Sequence, residues 1–117
     1  MELIMKMVIA LIKPNKFNEV MLALHKIEGL TGASSSEIHG FGLDRSKRVP
    51  EQEQGISLDF EPHIRLEIAC HPELVEEVLS TIAKAAHTGL RGDGKIYVFP
   101  LEQAVRISTG ERGESAV

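Results

Sequence analysis

The sequence predicts one α+β domain, spanning residues 1–117, in which strands and helices alternate as β-α-β-β-α-β. Three observations support this fold class. The run Leu3–Ile12 is almost continuously apolar, two later segments carry apolar residues at helical spacing after a proline, and a period-two pattern ends at Cys70. A length of 117 residues fits a single domain, and it is short enough that oligomerisation would help to bury the core.

The first half of the chain predicts a strand, a helix and a second strand. The apolar run Leu3–Ile12 is typical of a strand covered on both faces, and Pro14 suits the first position of a helix. Gly29 and Gly32 end that helix, and Ser34–Gly42 follows as a second strand. The apolar residues at helical spacing are Phe17, Val20, Met21, Leu24 and Ile27.

The middle of the chain predicts an exposed loop and a long strand. Residues 43–55 are mostly charged or amide residues with little to bury, which is typical of an exposed loop. From Ile56 to Cys70 apolar and polar residues alternate, as in a half-buried strand, and Pro62 predicts a bend or an edge position within it.

The last third predicts a second helix and a fourth strand. His71-Pro72 opens the helix, Gly89 terminates it, and Lys95–Leu101 forms the strand. This element order is the ferredoxin-like arrangement, in which an antiparallel sheet packs against two helices on one face. The other face meets water or another subunit, and the two-sided apolar first strand favours a subunit.

Composition narrows the class of protein. A net charge of −4 argues against a general nucleic-acid coat, and a single cysteine, Cys70, fits a reducing compartment. The run Leu3–Ile12 is too short to span a bilayer and lacks a signal-peptide cleavage pattern. We therefore expect a soluble cytoplasmic protein that binds no nucleic acid and is not inserted into a membrane.

The tetrad Gly92-Asp93-Gly94-Lys95 is the strongest candidate for a binding site. Glycines let backbone N–H groups approach an anion, and a lysine adds a charge suited to phosphate. Asp-Gly before a strand is also an ordinary turn, and the local sequence taken alone favours that reading.

Metal and catalytic sites find less support. His39, His63, Cys70 and His71 are of ligand type, but none has zinc-finger spacing, so scattered polar residues are the favoured interpretation and no metal is expected. His39 and His63 remain weak candidates that could meet across strands or subunits. No nucleophile–base motif occurs and Ile96 follows Gly94-Lys95 where a P-loop needs serine or threonine, so no enzyme is expected.

Several separate motifs together resemble one family. They are Ile12-Lys13-Pro14, Gly40-Phe41-Gly42, Asp59-Phe60, Thr88-Gly89 with Gly92-Asp93-Gly94-Lys95-Ile96, and Arg106-Ile107 with Thr109-Gly110-Glu111. Over essentially the whole chain this pattern is similar to the PII signal-transduction family. The resemblance implies trimers whose sheets face inward, with adenine nucleotide bound in the clefts between subunits. It also implies that residues 43–55 form the T-loop, which docks on a target such as an enzyme or a membrane transporter.

The resemblance assigns site residues by position. The tetrad matches the family's phosphate turn, and Arg106 matches an arginine that reaches the phosphates from the adjacent subunit. Ser34 stands where the family commonly has threonine, and Gly42 stands at the root of the loop. The expected nucleotide-binding set is Ser34, Gly42, Leu43, Ala69, Gly92, Asp93, Gly94, Lys95, Arg106 and Ser108.

Departures from the family pattern limit what the resemblance implies. Leu43 and Ser108 each replace an arginine, which weakens ATP binding and shifts preference toward ADP or AMP. Asp44 and His63 replace the glutamine and lysine used for magnesium and 2-oxoglutarate, so we expect little 2-oxoglutarate binding and leave magnesium open. Ile56 replaces the tyrosine that is uridylylated in some members. A metal- or small-anion-responsive protein associated with a transporter or efflux system is the alternative.

Overall fold

The computed structural model describes residues 5–41 and 61–117. In the first range, strand β1 is Lys6–Ile12, a 3-10 turn covers Pro14–Lys16, helix α1 is Phe17–His25 and strand β2 is Ser34–Gly40. Pro14 opens the 3-10 turn as predicted, because its fixed φ suits a first helical position and its missing N–H would have no partner there.

In the second range, strand β3 is Glu61–Cys70, a 3-10 turn covers Pro72–Leu74, helix α2 is Val75–Ala86 and strand β4 is Gly94–Pro100. A final 3-10 turn, Gly113–Ala116, closes the tail. The element order and fold class predicted from sequence are thus confirmed.

Element boundaries differ from the predicted ones by a few residues. Strand β2 ends at Gly40 rather than at residue 42, and β4 begins and ends one residue earlier than predicted. Helix α2 ends at Ala86, before Gly89. The predicted starts of β1 and β3, and the loop at residues 43–55, include residues that lie outside the described ranges.

The four described strands form one antiparallel sheet in the order β2-β3-β1-β4. The first strand of the sequence is therefore central, with Ile12 opposite Ile64 on one side and Gly94 on the other. Pro62 pairs with His39 of β2 but lies beyond the last residue of β3 that pairs with β1. The prediction of an edge position for Pro62 is correct for this end of the strand, where a missing N–H leaves no β1 bond unmade.

The core lies between one face of the sheet and the two helices. It is aliphatic, as the low aromatic content predicts, and every residue of it is at most 7% exposed. Its buried members are Val8, Ala10, Ile12, Val20, Leu24, Ile27, Leu66, Ile68, Cys70, Val78, Ile82 and Ala86.

The other face of the sheet, which we call the open face, carries no helix among the described elements. Side chains of β1 and β4 that lie opposite each other share this face because paired residues point the same way. Ile9 opposite Tyr97 and Met7 opposite Phe99 make it apolar. Phe99 is 45% exposed and Tyr97 is also exposed, so this single chain leaves large apolar side chains in contact with solvent.

In the described ranges, neither helix is both long and apolar enough to cross a membrane.

Candidate functional site

The turn Gly92–Lys95 lies where β4 begins, beside the end of β1. Gly92 and Gly94 adopt φ values of +80° and +109°, which glycine tolerates and other residues rarely adopt. A Cβ added at Gly94 would lie 1.7 Å from the carbonyl oxygen of Leu11. The glycine at 94 is therefore required by the close approach of β4 to β1.

Asp93 turns its carboxylate toward the segment that follows α2. Its Oδ2 accepts hydrogen bonds from the backbone N–H of Thr88 at 2.9 Å and of Gly89 at 3.4 Å, and its Oδ1 accepts one from the Thr88 hydroxyl. The Lys13 Nζ lies 3.2 Å from Oδ1, and the His87 Nδ1 lies 3.4 Å from Oδ2. We call this group of Lys13, Thr88 and Asp93 the clasp.

Thr88 completes the clasp through its hydroxyl oxygen. That oxygen accepts hydrogen bonds from Lys13 Nζ at 3.1 Å and from the backbone N–H of Leu90 at 3.0 Å, while its proton goes to Asp93. One donated and two accepted bonds are all that a hydroxyl can make. The clasp therefore fixes the turn to the end of β1 and to the end of α2.

These bonds all favour the charged carboxylate. The hydroxyl and backbone N–H of Thr88, with smaller contributions from Lys13 and Gly89, hold the pKa of Asp93 well below its usual range. Asp93 is thus negatively charged at neutral pH and neutralises part of the charge of Lys13. It acts on the shape of the turn, and its carboxylate is not turned outward toward a phosphate.

Lys95 is the cation of the turn that forms no ion pair with a carboxylate in the described ranges. It is exposed, lies opposite Leu11 on the open face, and makes no ion pair with any residue in the described ranges. Lys13, by contrast, is already engaged by Asp93 and Thr88. Lys95 therefore offers the anion-binding charge, and the glycine backbone offers N–H groups beside it.

His63 joins β3 to the same turn. Its Nε2 lies 3.3 Å from the carbonyl oxygen of Gly92, and its Nδ1 lies 3.3 Å from that of Glu61. The sequence alone identified His63 as the replacement for a family lysine and as a weak metal candidate, but it did not indicate this contact.

Two predicted site residues lie far from the turn within one chain. Ser34 is on β2, at the opposite edge of the sheet from β4, which is three strand spacings or about 14 Å away. Ile64 of β3 and Gly94 of β4 both pair with Ile12 of β1, so they lie level in the sheet. Ala69 is five residues further along β3, which places it roughly 17 Å from the turn along the strand direction.

The tail residues also lie away from the turn. The tail starts at the other end of β4, where the Leu101 N–H donates to the Met5 carbonyl at 2.8 Å. Arg106 is in a small hairpin, bonded to the Ser115 carbonyl at 3.1 Å and 3.9 Å from Glu111, and Ser108 is exposed in the turn of that hairpin. One chain therefore holds two separate halves of the predicted site.

The remaining candidates are constrained differently. Gly42 and Leu43 lie outside the described ranges, as does the rest of the predicted loop. His63 is opposite Ile38, so His39, the next residue on β2, points to the other face of the sheet and the two histidines do not converge within a chain. Among the described residues, no group of three or more His, Cys, Asp or Glu side chains could hold a metal ion.

Three residues near the turn were missed as site residues. Lys13 and Thr88 were identified only as parts of the family motifs, and no binding role was predicted for His87. His87 in fact lies just past α2 in extended conformation, beside Asp93. A threonine five residues before a glycine-flanked aspartate was the available signal for a side chain that caps this turn.

Comparison with known proteins decides the family. A family model described as nitrogen regulatory protein P-II matches residues 5–111 of this chain. The chain belongs to the P-II family. The resemblance drawn from the sequence motifs is thereby confirmed.

P-II proteins of known sequence and structure match along nearly the whole chain. The nitrogen regulatory protein P-II of Azospirillum brasilense is 44% identical over 115 residues, covering 97% of this chain and 100% of that protein. The nitrogen regulatory protein GlnK of Escherichia coli K12 is 37% identical over 113 residues with the same coverage. The crystal structure of Arabidopsis thaliana PII bound to citrate aligns with a TM-score of 0.76 and 34% identity, covering 97% of this chain and 92% of that one.

Members of this P-II family are signal-transduction regulators rather than enzymes, and they typically form trimers that interact with target proteins. The P-II assignment gives a reason for the two half-sites described above, since an oligomer can bring together residues that one chain keeps apart.

Proposed function

We propose that this P-II protein is a cytoplasmic, non-enzymatic regulator that binds an adenine nucleotide between subunits of a homotrimer. The observation that carries the proposal is the turn itself. Gly92 and Gly94 adopt positive φ, and Lys95 stands beside them with no carboxylate partner among the described residues. Such a turn suits the terminal phosphates of a nucleotide.

The separation of the half-sites supports binding between subunits. In one chain Ser34 lies on the opposite edge strand from Lys95, and the tail that carries Arg106 leaves the sheet at the other end of β4. Arg106 is held in its hairpin by a single backbone carbonyl and a distant carboxylate, so its guanidinium retains donors for a ligand. In the proposed trimer the tail of one subunit completes the turn of the next.

The open face supports the trimer. Its apolar side chains on β1 and β4 have no covering element among those described, and Ile9 is 7% exposed there although it lies outside the core cluster. On the same face the Nε of Arg65 is buried and has no hydrogen-bond partner in the described ranges. A neighbouring sheet would cover the apolar groups, and a polar atom of that sheet could pair with Arg65.

The regulated target would be contacted by residues 43–55, as in the family pattern. The sequence of that segment lacks tyrosine, so signalling proceeds without uridylylation there. With His63 and Asp44 in place of lysine and glutamine, a dicarboxylate such as 2-oxoglutarate loses a strong cation, so we propose that nucleotide alone is the effector. In the family pattern the target is an enzyme or a membrane transporter.

Calorimetric titration with ATP, ADP and AMP tests the proposal. We expect measurable binding, and we expect Lys95→Ala to weaken it about tenfold or more, because a charge-assisted contact to phosphate is lost. Lys26→Ala is the matched control. Lys26 is exposed at the far end of α1, and its substitution removes the same charge. The absence of binding for all three nucleotides would overturn the proposed function.

A small-anion sensor is the second candidate, and one comparison favours it. The structurally similar Arabidopsis protein was crystallised bound to citrate. The same titration repeated with citrate, and with citrate present during the nucleotide titration, separates the two. Citrate binding that survives Lys95→Ala and leaves nucleotide affinity unchanged would indicate an independent anion site.

A further inference from the structure

His63 is placed between two backbone carbonyl oxygens. Its Nε2 is 3.3 Å from the Gly92 oxygen in the phosphate turn, and its Nδ1 is 3.3 Å from the Glu61 oxygen at the start of β3. Carbonyl oxygens accept hydrogen bonds and cannot donate them. Both contacts are therefore satisfied together only when both ring nitrogens carry a proton, which is the imidazolium form.

The neutral ring satisfies one contact and leaves the other unmade. A neutral imidazole carries one N–H, so its other nitrogen presents a lone pair to a carbonyl oxygen. Histidine ordinarily changes charge between pH 5 and 8. The link between β3 and the turn is accordingly complete in the charged form of the ring and incomplete in its neutral form.

The turn responds to this link because, within the described ranges, His63 is the hydrogen-bond partner given for the Gly92 carbonyl. Gly92 has a φ of +80°, and glycine adopts many other φ values about as easily. The clasp holds the side chain of Asp93 and makes no bond to the Gly92 carbonyl. An imidazolium here adds a positive charge beside Lys13, whose Cε would lie 3.8 Å from a Cβ on Gly92, and it offsets the Glu61 carboxylate, whose Oε2 would lie 3.6 Å from the same position. Both effects favour an anion in the turn at lower pH.

We propose that His63 is the positioning residue of the phosphate turn, and that its protonation couples anion binding at Gly92–Lys95 to proton uptake. This proposal rests on the proposed nucleotide site. Binding tightens as pH falls through the ionisation range of His63 and weakens as pH rises through it. The titratable or charged groups around His63 by sequence or register are Glu37, His39, Glu61, Arg65, Lys13, Arg91, Asp93 and Lys95.

The first test needs no nucleotide. Amide resonances of Gly92, Asp93 and Gly94 are followed by NMR from pH 5 to 8 in the free protein and in His63→Gln. We expect one histidine transition of these amides to be lost in His63→Gln, whereas any transition from His87, whose Nδ1 lies 3.4 Å from Asp93, remains in both proteins. His39→Gln is the matched control, because His39 lies on the neighbouring strand but on the opposite face, and it should retain the transition.

The second test measures ADP affinity by calorimetry at pH 6 and pH 8. A nucleotide's own phosphate ionises in this range, and comparing wild type with His63→Gln removes that common effect. We expect the variant to bind about five- to tenfold more weakly than wild type at pH 6 and nearly equally at pH 8, which is the net size of one ordinary hydrogen bond. His25→Gln, which alters an exposed histidine in the last turn of α1, should keep the wild-type pH dependence.

The two tests have separate outcomes. Identical amide titrations in wild type and His63→Gln, or identical pH dependence of ADP affinity in both, would overturn the role of His63. Absence of nucleotide binding at every pH would overturn the proposed function instead, while the amide titration would still decide whether His63 positions the turn.

Discussion

At the scale of single residues, the acidic member of the turn has a structural task. The carboxylate of Asp93 accepts from two backbone N–H groups and one hydroxyl of the Thr88-Gly89 segment, and it pairs with Lys13. Its side chain is 25% exposed, so solvent screens these interactions in part. Asp93 therefore stabilises the conformation of the turn through contacts within the chain, whereas Lys95 is available to a ligand.

The pH dependence of stability should report this task. Because the pKa of Asp93 is lowered in the folded protein, its contribution is fully present above the ordinary aspartate value of about 3.9 and is lost as pH falls further. We expect Asp93→Asn to lower the free energy of unfolding by about 1–2 kcal/mol at pH 7, with a difference that shrinks below about pH 4. Urea unfolding of both proteins at pH 7 and pH 3 measures this.

Glu76→Gln provides the control for that prediction. Glu76 is an exposed carboxylate in the first turn of α2, and removing its charge should change stability by no more than about 0.5 kcal/mol. A destabilisation by Asp93→Asn that is the same at both pH values would contradict the clasp as described.

The residue scale also shows where sequence reasoning reached its limit. The glycines and the lysine of the turn were identifiable, because their chemistry is local. Lys13 and Thr88 were not, because their roles arise from contacts with Asp93 across 80 and five positions, and only the fold brings Lys13 there. His63 escaped for the same reason, since its partner Gly92 lies on another strand.

At the scale of elements, β4 can pair with β1 only because its first residue has no side chain. The carbonyl oxygen of Leu11 occupies the place of a Cβ on Gly94, and the φ of +109° is itself unfavourable for other residues. The sequence suggested ligand contact as the reason for a glycine at 94, and the structure shows that strand pairing also requires it.

Gly94→Ala should consequently destabilise the whole domain. We expect a loss of about 2–4 kcal/mol in the free energy of unfolding, since backbone atoms must move and the backbone strain remains. Gly40→Ala is a matched strand glycine with nothing within 4 Å of an added Cβ, and it should change stability by about 0.5 kcal/mol at most. Thermal or urea denaturation of the two variants compares them directly; equal stability would refute the close approach.

Element type and order were predictable, whereas element ends were less so. Apolar patterns specified both helices, β1 and β3, since burial imposes a pattern on the sequence, whereas β2 has a single apolar side chain, Ile38, and shows no such period. Helix α2 ends at Ala86 rather than near Gly89 because His87 turns to extended backbone, where Thr88 meets Asp93. The contacts of Thr88 with Asp93 and with the distant Lys13 therefore accompany the end of this helix, which helix propensity alone does not predict.

At the scale of the whole molecule, the two faces of the sheet differ in what covers them. Helices α1 and α2 cover one face, and the open face exposes Tyr97 and Phe99. Aromatic side chains beside aliphatic ones in a patch of this kind are typical of a subunit interface.

A charge placed on the open face should break the proposed trimer. Phe99→Glu puts a carboxylate opposite Met7, and we expect sedimentation velocity to show monomers where the wild type sediments as trimers, because a charge in an apolar interface is strongly unfavourable. Leu22→Glu is the control, since Leu22 is 66% exposed on α1 and should leave the assembly unchanged. A trimer that persists in Phe99→Glu would exclude the open face as its interface.

The completed site was predictable only by analogy with the family. The sequence motifs named residues that one chain places at opposite ends of the sheet, such as Lys95 and Arg106. No periodicity or spacing within a chain encodes how subunits are related in space. The assignment of residues to a shared cleft therefore stays a prediction, while the turn and its clasp are features of the single chain.

The sheet order described above also constrains how the protein is made. Of the four described strands, β1 is synthesised first and is central, and its Lys6 pairs with Pro100 of β4, the last of them. At ribosomal rates of roughly 5–20 residues per second, on the order of 5–20 s pass between the synthesis of β1 and the synthesis of both strands that pair with it, β3 and β4. During that time an apolar strand with two unpaired edges is available to other nascent chains, so polysome crowding should favour misassembly until β4 has been synthesised and completes the sheet.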